Sequence, residues 1–344
     1  MWNSLLNRIP DAAKSPHFRP EYYKLFEERG EGRPICFVGV EGDRAIVYPA
    51  LINSIHGLGY ELEGEYFDLQ GAYGYNGPVT NCGDPTFLEG FSRAVSDYCR
   101  EAGIVAEFIR FCPVIKNYHY LRHIEPSFAF ENVLIDLAPG IDEVWRKSFD
   151  NGVRKAVRKA ERAKLDCRIV TGTDVTAEDV GHFLNIYHQT MVRNRADAYY
   201  FFSQDFVHGL IASMPGETLL AFVSADGRPV SCELVLHNTH HAYGFLGGTL
   251  SDYYAQSPNS LLRFELVKRL SAMGIQAYSI GGGKGMDDPV YLFKKSFGRN
   301  TESRFYIGKC IHNEDVYRSL CKQWARKYPE KDGAYGHLLL KYRY

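Results

Sequence analysis

Residues 276–298 read QAYSIGGGKGMDDPVYLFKKSFG, and the rest of the chain can be read as a frame for them. Residues 277–280 have the length and apolar character of a short buried strand. A glycine loop follows at 281–285. Its run Gly281, Gly282, Gly283 lets the backbone approach a ligand closely, because no Cβ intervenes. A short helix is expected next, carrying Phe293, Lys294 and Phe297. Lys294 and Lys295 then fall where the loop becomes helix, with aromatic residues on either side. Positive charge fixed in such a setting can stabilise an oxyanion or hold a phosphate. Paired lysines on a short helix also make an ordinary solvated surface, a reading that suits Lys295 better than Lys294. The loop is not a P-loop. Lys284 is followed by Gly285 rather than Ser or Thr, and the first glycine of that motif is missing.

Upstream, PNSLLRFELVKRLSAMG (258–274) reads as a helix opened by Pro258 and closed by Gly274. Before it comes a three-strand meander. Residues 218–225 and 228–237 are joined by Asp226-Gly227, a strong hairpin signal, and 240–248 follows the Asn238-Thr239 turn. Tyr243 lies mid-strand, where it either faces a cleft or is a plain sheet residue. Helices are expected at 203–214 and from the N-cap Thr176 to about 191. Arg195 and Tyr199, four apart, are expected on one side of a helix end. They form either a phosphate or carboxylate clamp, for which the arginine fork is suited, or an exposed Arg beside a capping Tyr.

Residues 141–164 are expected as one long helix bearing Arg146, Lys147, Arg154, Lys155, Arg158, Lys159, Arg162 and Lys164. That run suits a solvated face with i,i+4 pairs. It also suits a surface that follows a phosphate backbone. Downstream of the glycine loop, 304–311 reads as a last strand and 313–325 as a last helix, before an aromatic and basic tail.

The first half follows a similar course. A helix at 20–29 leads to a hairpin, 35–40 and 44–49, around Glu41-Gly42-Asp43. A strand at 65–69, a loop rich in glycine and tyrosine, a helix at 85–102 and strands at 104–111 and 128–137 complete an α/β layer unit. Two domains, 1–140 and 141–344, are therefore expected, with internal duplication of one fold but no residue-by-residue repeat.

Composition narrows the function classes. The 344 residues are 45% hydrophobic and 24% charged, with a formal net charge of -1, so any nucleic-acid surface must be a local patch. No apolar run reaches the roughly 20 residues that span a bilayer. The first residues lack a signal-peptide pattern, so a cytoplasmic location is expected. Eight scattered cysteines without a CxxC pair suit reduced, buried thiols. His240-His241 has no carboxylate at ligand spacing, and no Ser or Cys sits in a nucleophile elbow, so no metal and no covalent nucleophile are expected.

Four segments occur in a telling order: WRKSFDNGVRKAVRKAERA (145–163), YHQTMVRNRADAY (187–199), YYAQSPNSLLRFELVKRL (253–270) and SIGGG…YLFKKSFG (279–298). Together they resemble the Fem-type (FemABX) family of peptidoglycan interpeptide-bridge enzymes, which pair two GNAT acyltransferase units. The resemblance covers most of the second half well and the first half loosely. It implies an α/β (α+β) fold of tandem GNAT-like domains, each a mixed central sheet flanked by helices. Residues 1–140 would be a degenerate unit that helps bind the acceptor, and 141–344 would carry the transfer site.

The implied reaction moves an aminoacyl group from charged tRNA to an amine of a peptidoglycan precursor or similar peptide, with no cofactor. Lys294 would stabilise the reacting carbonyl within the Phe293-Lys294 motif. Arg195, with Arg193 as a competing match, and Tyr199 would contact the acceptor, lined further by Tyr243, Gly282 and Gly283. Arg154, Lys155 and Arg158 would meet the tRNA backbone. The long helical arm of the staphylococcal type is absent. So is the Arg/Gln-x-x-Gly-x-Gly/Ala turn of coenzyme A-dependent GNAT enzymes: residues 247–262 read GGTLSDYYAQSPNSLL. An N-acyltransferase using acyl-CoA or a carrier protein, and a non-catalytic tandem scaffold, remain open at this point.

Overall fold

Gly42, at φ +58°, turns the chain between β1 (Arg33–Glu41) and β2 (Arg44–Ser54), which pair antiparallel from Glu41↔Arg44 to Arg33↔Ile52. The computed structural model in which this is seen describes residues 1–283, 287–299 and 302–344. Two compact units emerge: Met1–Ala129 with Phe305–Tyr344, and Phe130–Arg304.

In the first unit, α1 (Trp2–Leu6) and α2 (Pro20–Glu28) precede the hairpin. Next come β3 (Phe67–Gln70), β4 (Val79–Thr80), α3 (Pro85–Glu101) and β5 (Ile104–Arg110). Because β3 and β5 run parallel, the chain between them must cross over, and α3 lies within that crossover. Asp84 caps α3 by accepting from the Phe87 amide at 3.0 Å. Leu88, Phe91, Val95 and Cys99 of α3 pack on Ile46, Tyr48, Ala50, Ile104 and Ile109 of the sheet, which sets this unit's core.

The second unit takes up most of β6 (Ser127–Asp136) and then departs from the single long helix expected at 141–164. Helix α4 (Ile141–Glu143) runs into a π-helical turn, Val144–Ser148, and Phe149 is extended. Asp150 then caps a separate α5 (Asn151–Arg162) through the Val153 amide at 2.8 Å. Phe149 is fully buried at the break, and burying that ring outweighs the helical preference of the basic run. Helix α5 faces the core with Val153, Val157 and Ala160.

An unanticipated strand, β7 (Asp166–Thr171), follows. Helix α6 (Ala177–Arg193) opens on a capping box between Thr176 and Asp179, and α7 (Gln204–Ser213) is capped by Ser203. The meander is β8 (Thr218–Ala225), β9 (Arg228–His237) and β10 (His241–Thr249). Then come α8 (Pro258–Ala272), β11 (Ala277–Gly281) and α9 (Pro289–Lys295). The strand order is β6-β11-β10-β9-β8-β7, with the β10–β11 pair parallel and the others antiparallel.

The chain then returns to the first unit. Strand β12 (Glu302–Ile311) pairs antiparallel with β5, extending the order β1-β2-β3-β5. Helices α10 (Glu314–Lys327) and α11 (Asp332–Tyr335) follow, and Trp324 and Tyr342 pack with Val105 and Ala106. Arg343 Nε and Tyr342 Oη both donate to the buried Asp68 carboxylate at 2.7 Å, fastening the C-terminal segment. These units differ from the division at 140/141, because β5 takes its second neighbour from the far end of the chain. Each unit is a mixed sheet with helices packed on it, in line with the expected fold class.

Candidate active site

Strands β10 and β11 pair in parallel over His241↔Ala277, Ala242↔Tyr278 and Tyr243↔Ser279. There the parallel pairing stops. Register shifts sit at the same level, between Gly244 and Leu246 on β10 and between Ser279 and Gly281 on β11. Such irregularities bend a strand away from its neighbour. Strand β10 continues alongside β9, with Gly247 opposite Glu233, while β11 ends at Gly281, φ +71°. The glycine loop thus leaves the sheet where the parallel strands part.

Four ionisable side chains meet at this point. Lys294 comes from α9, which Asp288 caps through the Val290 amide at 2.9 Å. Its Nζ donates to the Gly282 carbonyl at 2.8 Å. Arg263, from α8, donates through Nη2 to Glu233 Oε2 on β9 at 3.0 Å, with both side chains less than a tenth exposed. Tyr278 Oη donates to Glu233 Oε1 at 2.6 Å. The backbone is glycine where it passes closest. A Cβ at Gly244 would lie 2.4 Å from Glu233 Oε1, and one at Gly281 would lie 3.3 Å from Lys294 Nζ. The Arg263 guanidinium lies over the Phe297 ring at 5.6 Å, and Phe297 packs on Phe149 and Phe293.

Burial, reinforced by the Arg263 charge, brings the Lys294 ammonium down to about 8, against the weaker pull of Glu233 and Asp288. Burial, and then the Glu233 charge, push the Tyr278 hydroxyl well above its usual range, so it stays a donor. The arrangement is a proton-bearing cation fixed beside a strand-end loop, with a buried ion pair behind it. Such a group can stabilise negative charge as it develops on a carbonyl oxygen.

A Cβ at Gly282 would fall 2.7 Å from Asn132 Oδ1 and from the Glu131 carbonyl, and one at Gly283 would fall 2.4 Å from Asp288 Oδ2. Both positions therefore need glycine. The rest of the expected loop, Lys284 and Gly285, lies outside the described residues. Tyr243 is buried at the last parallel pair. Phe293 is 38% exposed and leans edge-on against Phe297. Lys295 lies 5.7 Å from the centre of the Tyr291 ring.

Arg195 and Tyr199 do not share a helix end. Helix α6 stops at Arg193, Arg195 has φ +49°, and Tyr199 belongs to a separate 3₁₀ turn that Asp197 caps. Left-handed backbone at Arg195 breaks the i,i+4 relation on which a shared face depends. Arg193 instead donates to the Thr249 carbonyl at 2.9 Å and lies over Tyr254. Arg154 donates to the carbonyls of Trp145, Arg146 and Phe149, so it holds together the break before α5. Lys155 and Arg158 are exposed, the latter 6.0 Å from the Trp145 ring.

Glu233, Arg263 and Tyr278 escape a reading of the sequence by motif. One signal does mark them: Glu233 interrupts the apolar run of β9 and Arg263 that of α8. A charge in such a run must find a partner.

A second polar cluster lies in the first unit. Glu107 accepts from Tyr48 Oη at 2.6 Å, His312 Nε2 at 2.8 Å and His123 Nε2 at 3.3 Å. Among the described residues, Cys99, Glu107 and His312 offer ligand atoms within 4.8 Å of one another. Three donors thus already satisfy the carboxylate.

No curated protein matches the chain in sequence. Residues 147–294 match the family model described as Acetyltransferase (GNAT) domain. Among solved structures the chain is similar to FemX, at TM-score 0.65 and 13% identity over 91% of this chain and 97% of that one. It is also similar to the C-terminal domain of a putative lysylphosphatidylglycerol synthetase from Agrobacterium fabrum, at TM-score 0.56 and 14% identity over 95% and 98%. A conserved protein of unknown function from Bacteroides thetaiotaomicron VPI-5482 resembles it at TM-score 0.58 and 10% identity over 90% and 97%. At these identities the likeness is one of fold. The chain shares its fold with FemX, residues 147–294 carry the match to the GNAT domain, and Glu233, Arg263, Tyr278 and Lys294 all lie within that matched span.

Proposed function

We propose that this protein is a cytoplasmic aminoacyltransferase, moving an aminoacyl group from charged tRNA to an amine of a peptidoglycan precursor or a similar peptide. The observation that carries the reading is Lys294, fixed at the Gly282 carbonyl where β10 and β11 part. An aminoacyl ester is already activated. The enzyme needs to position the reactants and to stabilise an oxyanion more than it needs a nucleophile. The acceptor amine attacks the ester carbonyl, the Lys294 ammonium holds the oxyanion, and the tRNA ribose oxygen leaves with the proton that the amine gives up as the amide forms. The likeness to FemX supports this donor class. The exposed Lys155 and Arg158 are available to the tRNA backbone, whereas Arg154 supports them from within the fold.

The name of the matching family favours a second reading, acyl transfer from coenzyme A. The region after β10 supports it poorly. Residues Ser251–Gln256 form a 3₁₀ helix, Ser257 is left-handed at φ +59°, and Pro258 at the first helical position removes an amide donor from the start of α8.

Filter binding against charged tRNA, across a salt series and with or without excess acetyl-CoA, tests the choice. Tight binding that weakens steeply with salt and ignores acetyl-CoA supports the aminoacyltransferase. Absence of tRNA binding, with heat protection by acetyl-CoA, transfers the case to the second reading.

A further inference from the structure

Arg263 is 7% exposed, and only part of its hydrogen-bonding capacity is used. Nη2 meets Glu233, but Nε and Nη1 are both buried and meet no acceptor among the described residues. Buried guanidinium donors without acceptors are strongly disfavoured, because the water they gave up is not replaced. Glu233 cannot turn fully toward Arg263, since its other oxygen holds Tyr278 Oη at 2.6 Å. The face of the guanidinium rests on Phe297, which satisfies none of the N–H groups. Lys294 places a second cation in the same cluster. Of the acidic groups that act on it, Glu233 is shared with Arg263 and Tyr278, and Asp288 is engaged as the cap of α9. Among the described residues, the cluster therefore has cationic donors in excess of acceptors.

We propose that Arg263 is an anion-recognition residue, holding a carboxylate or phosphate group of a substrate beside Lys294. The planar guanidinium suits both kinds of oxyanion. What the anion belongs to rests on the acyl-transfer reading. The anion site itself does not, because its binding can be read without turnover.

The test uses the full chain in thermal melts at constant ionic strength, with inorganic phosphate and acetate as probes and chloride as control. Wild type is expected to show a saturable rise in Tm with one or both oxyanions and none with chloride. Response to phosphate alone identifies a phosphoryl group as the natural partner, and response to acetate alone a carboxylate. Arg263→Gln is expected to abolish the rise. Because it leaves Glu233 without its cation, the uncharged double variant Glu233→Gln/Arg263→Gln serves as the folded comparison and must also fail to respond. Glu233→Gln alone removes the competing carboxylate and is expected to bind the probe about tenfold more tightly.

A purely structural ion pair predicts no gain from Glu233→Gln and equal responses from wild type and the double variant. Either result, or no oxyanion effect on wild type, overturns the proposal. Loss of tRNA binding or acyl transfer with the anion effect intact would remove the aminoacyltransferase reading and leave this one standing.

Discussion

Lys294 Nζ and the Gly282 carbonyl are joined by a 2.8 Å hydrogen bond, which fastens α9 to the loop leaving β11. The cation is thus held in place before any substrate arrives, the condition under which a charge contributes to lowering a barrier. Lys294→Ala is expected to lower kcat by about 10²–10³-fold, with KM little changed and the circular dichroism spectrum that of wild type. Turnover close to wild type would remove Lys294 from the chemistry.

The pH profile follows from the same environment. Burial and Arg263 bring Lys294 from 10.5 to about 8. If the ammonium is the active form, kcat falls as pH rises through about 8; a neutral amine acting as base would give a rise instead. Stability runs the other way. The cost of burying the charge is full below about 8 and is relieved between about 8 and 10.5. Lys294→Met should therefore raise stability over wild type at pH 7, and the gain should shrink by pH 10, as measured by urea unfolding.

Breaking the Arg263–Glu233 pair from one side should be severe. Arg263→Met leaves a buried carboxylate without its cation and is expected to cost about 3–5 kcal/mol in urea unfolding. Glu233→Gln/Arg263→Met should recover most of that loss, since a neutral pair is cheaper to bury than a lone charge.

Glu107 and His312 supply a pH window for the first unit. Burial opposes the charge on Glu107, but hydrogen bonds from His123 and His312 prevail and bring it to about 2. Burial likewise opposes the His312 cation, but hydrogen bonds with Cys310 and Glu107 prevail and raise it to about 9. The Glu107 contribution is complete above about 4.5 and lost as pH falls toward 2. The His312 contribution is complete below about 6.5 and lost as pH rises through 9. The contribution of this pair should be greatest between about 4.5 and 6.5. His312→Ala should cost about 3–5 kcal/mol there and flatten the alkaline limb of the curve, as followed by melts across pH.

Two glycines should respond in opposite senses. Gly244→Ala sets a Cβ against Glu233 Oε1 and is expected to cost about 1–3 kcal/mol while reducing activity. Gly181→Ala, within α6 and with open space at the Cβ position, should raise stability by about 0.5–1 kcal/mol. Parallel melts and activity assays of both variants check the contrast.

Much of the fold is legible because local chemistry decides it. Asp226-Gly227 closes the β8–β9 hairpin, Thr176 caps α6, and α2, α3 and α8 each begin at a proline. The break at Phe149 is not legible, since the run around it has helical propensity and only the core decides that the ring must turn inward. Strand β7 is hidden for a related reason: it lies at the edge of the sheet beside β8, and its residues alternate weakly between exposure and burial.

Lys294 can be picked out from the glycines before it and the aromatic residues around it, all within one stretch of chain. Its partners cannot. Glu233, Arg263 and Tyr278 stand on a strand, a helix and a second strand, and nothing in their spacing joins them. The sequence by itself determines the turns, caps and periodicities, because these are settled among neighbouring residues. The tertiary structure alone decides which buried charges face one another and that the C-terminal strand returns to β5. Those choices depend on which distant segments are excluded from water together.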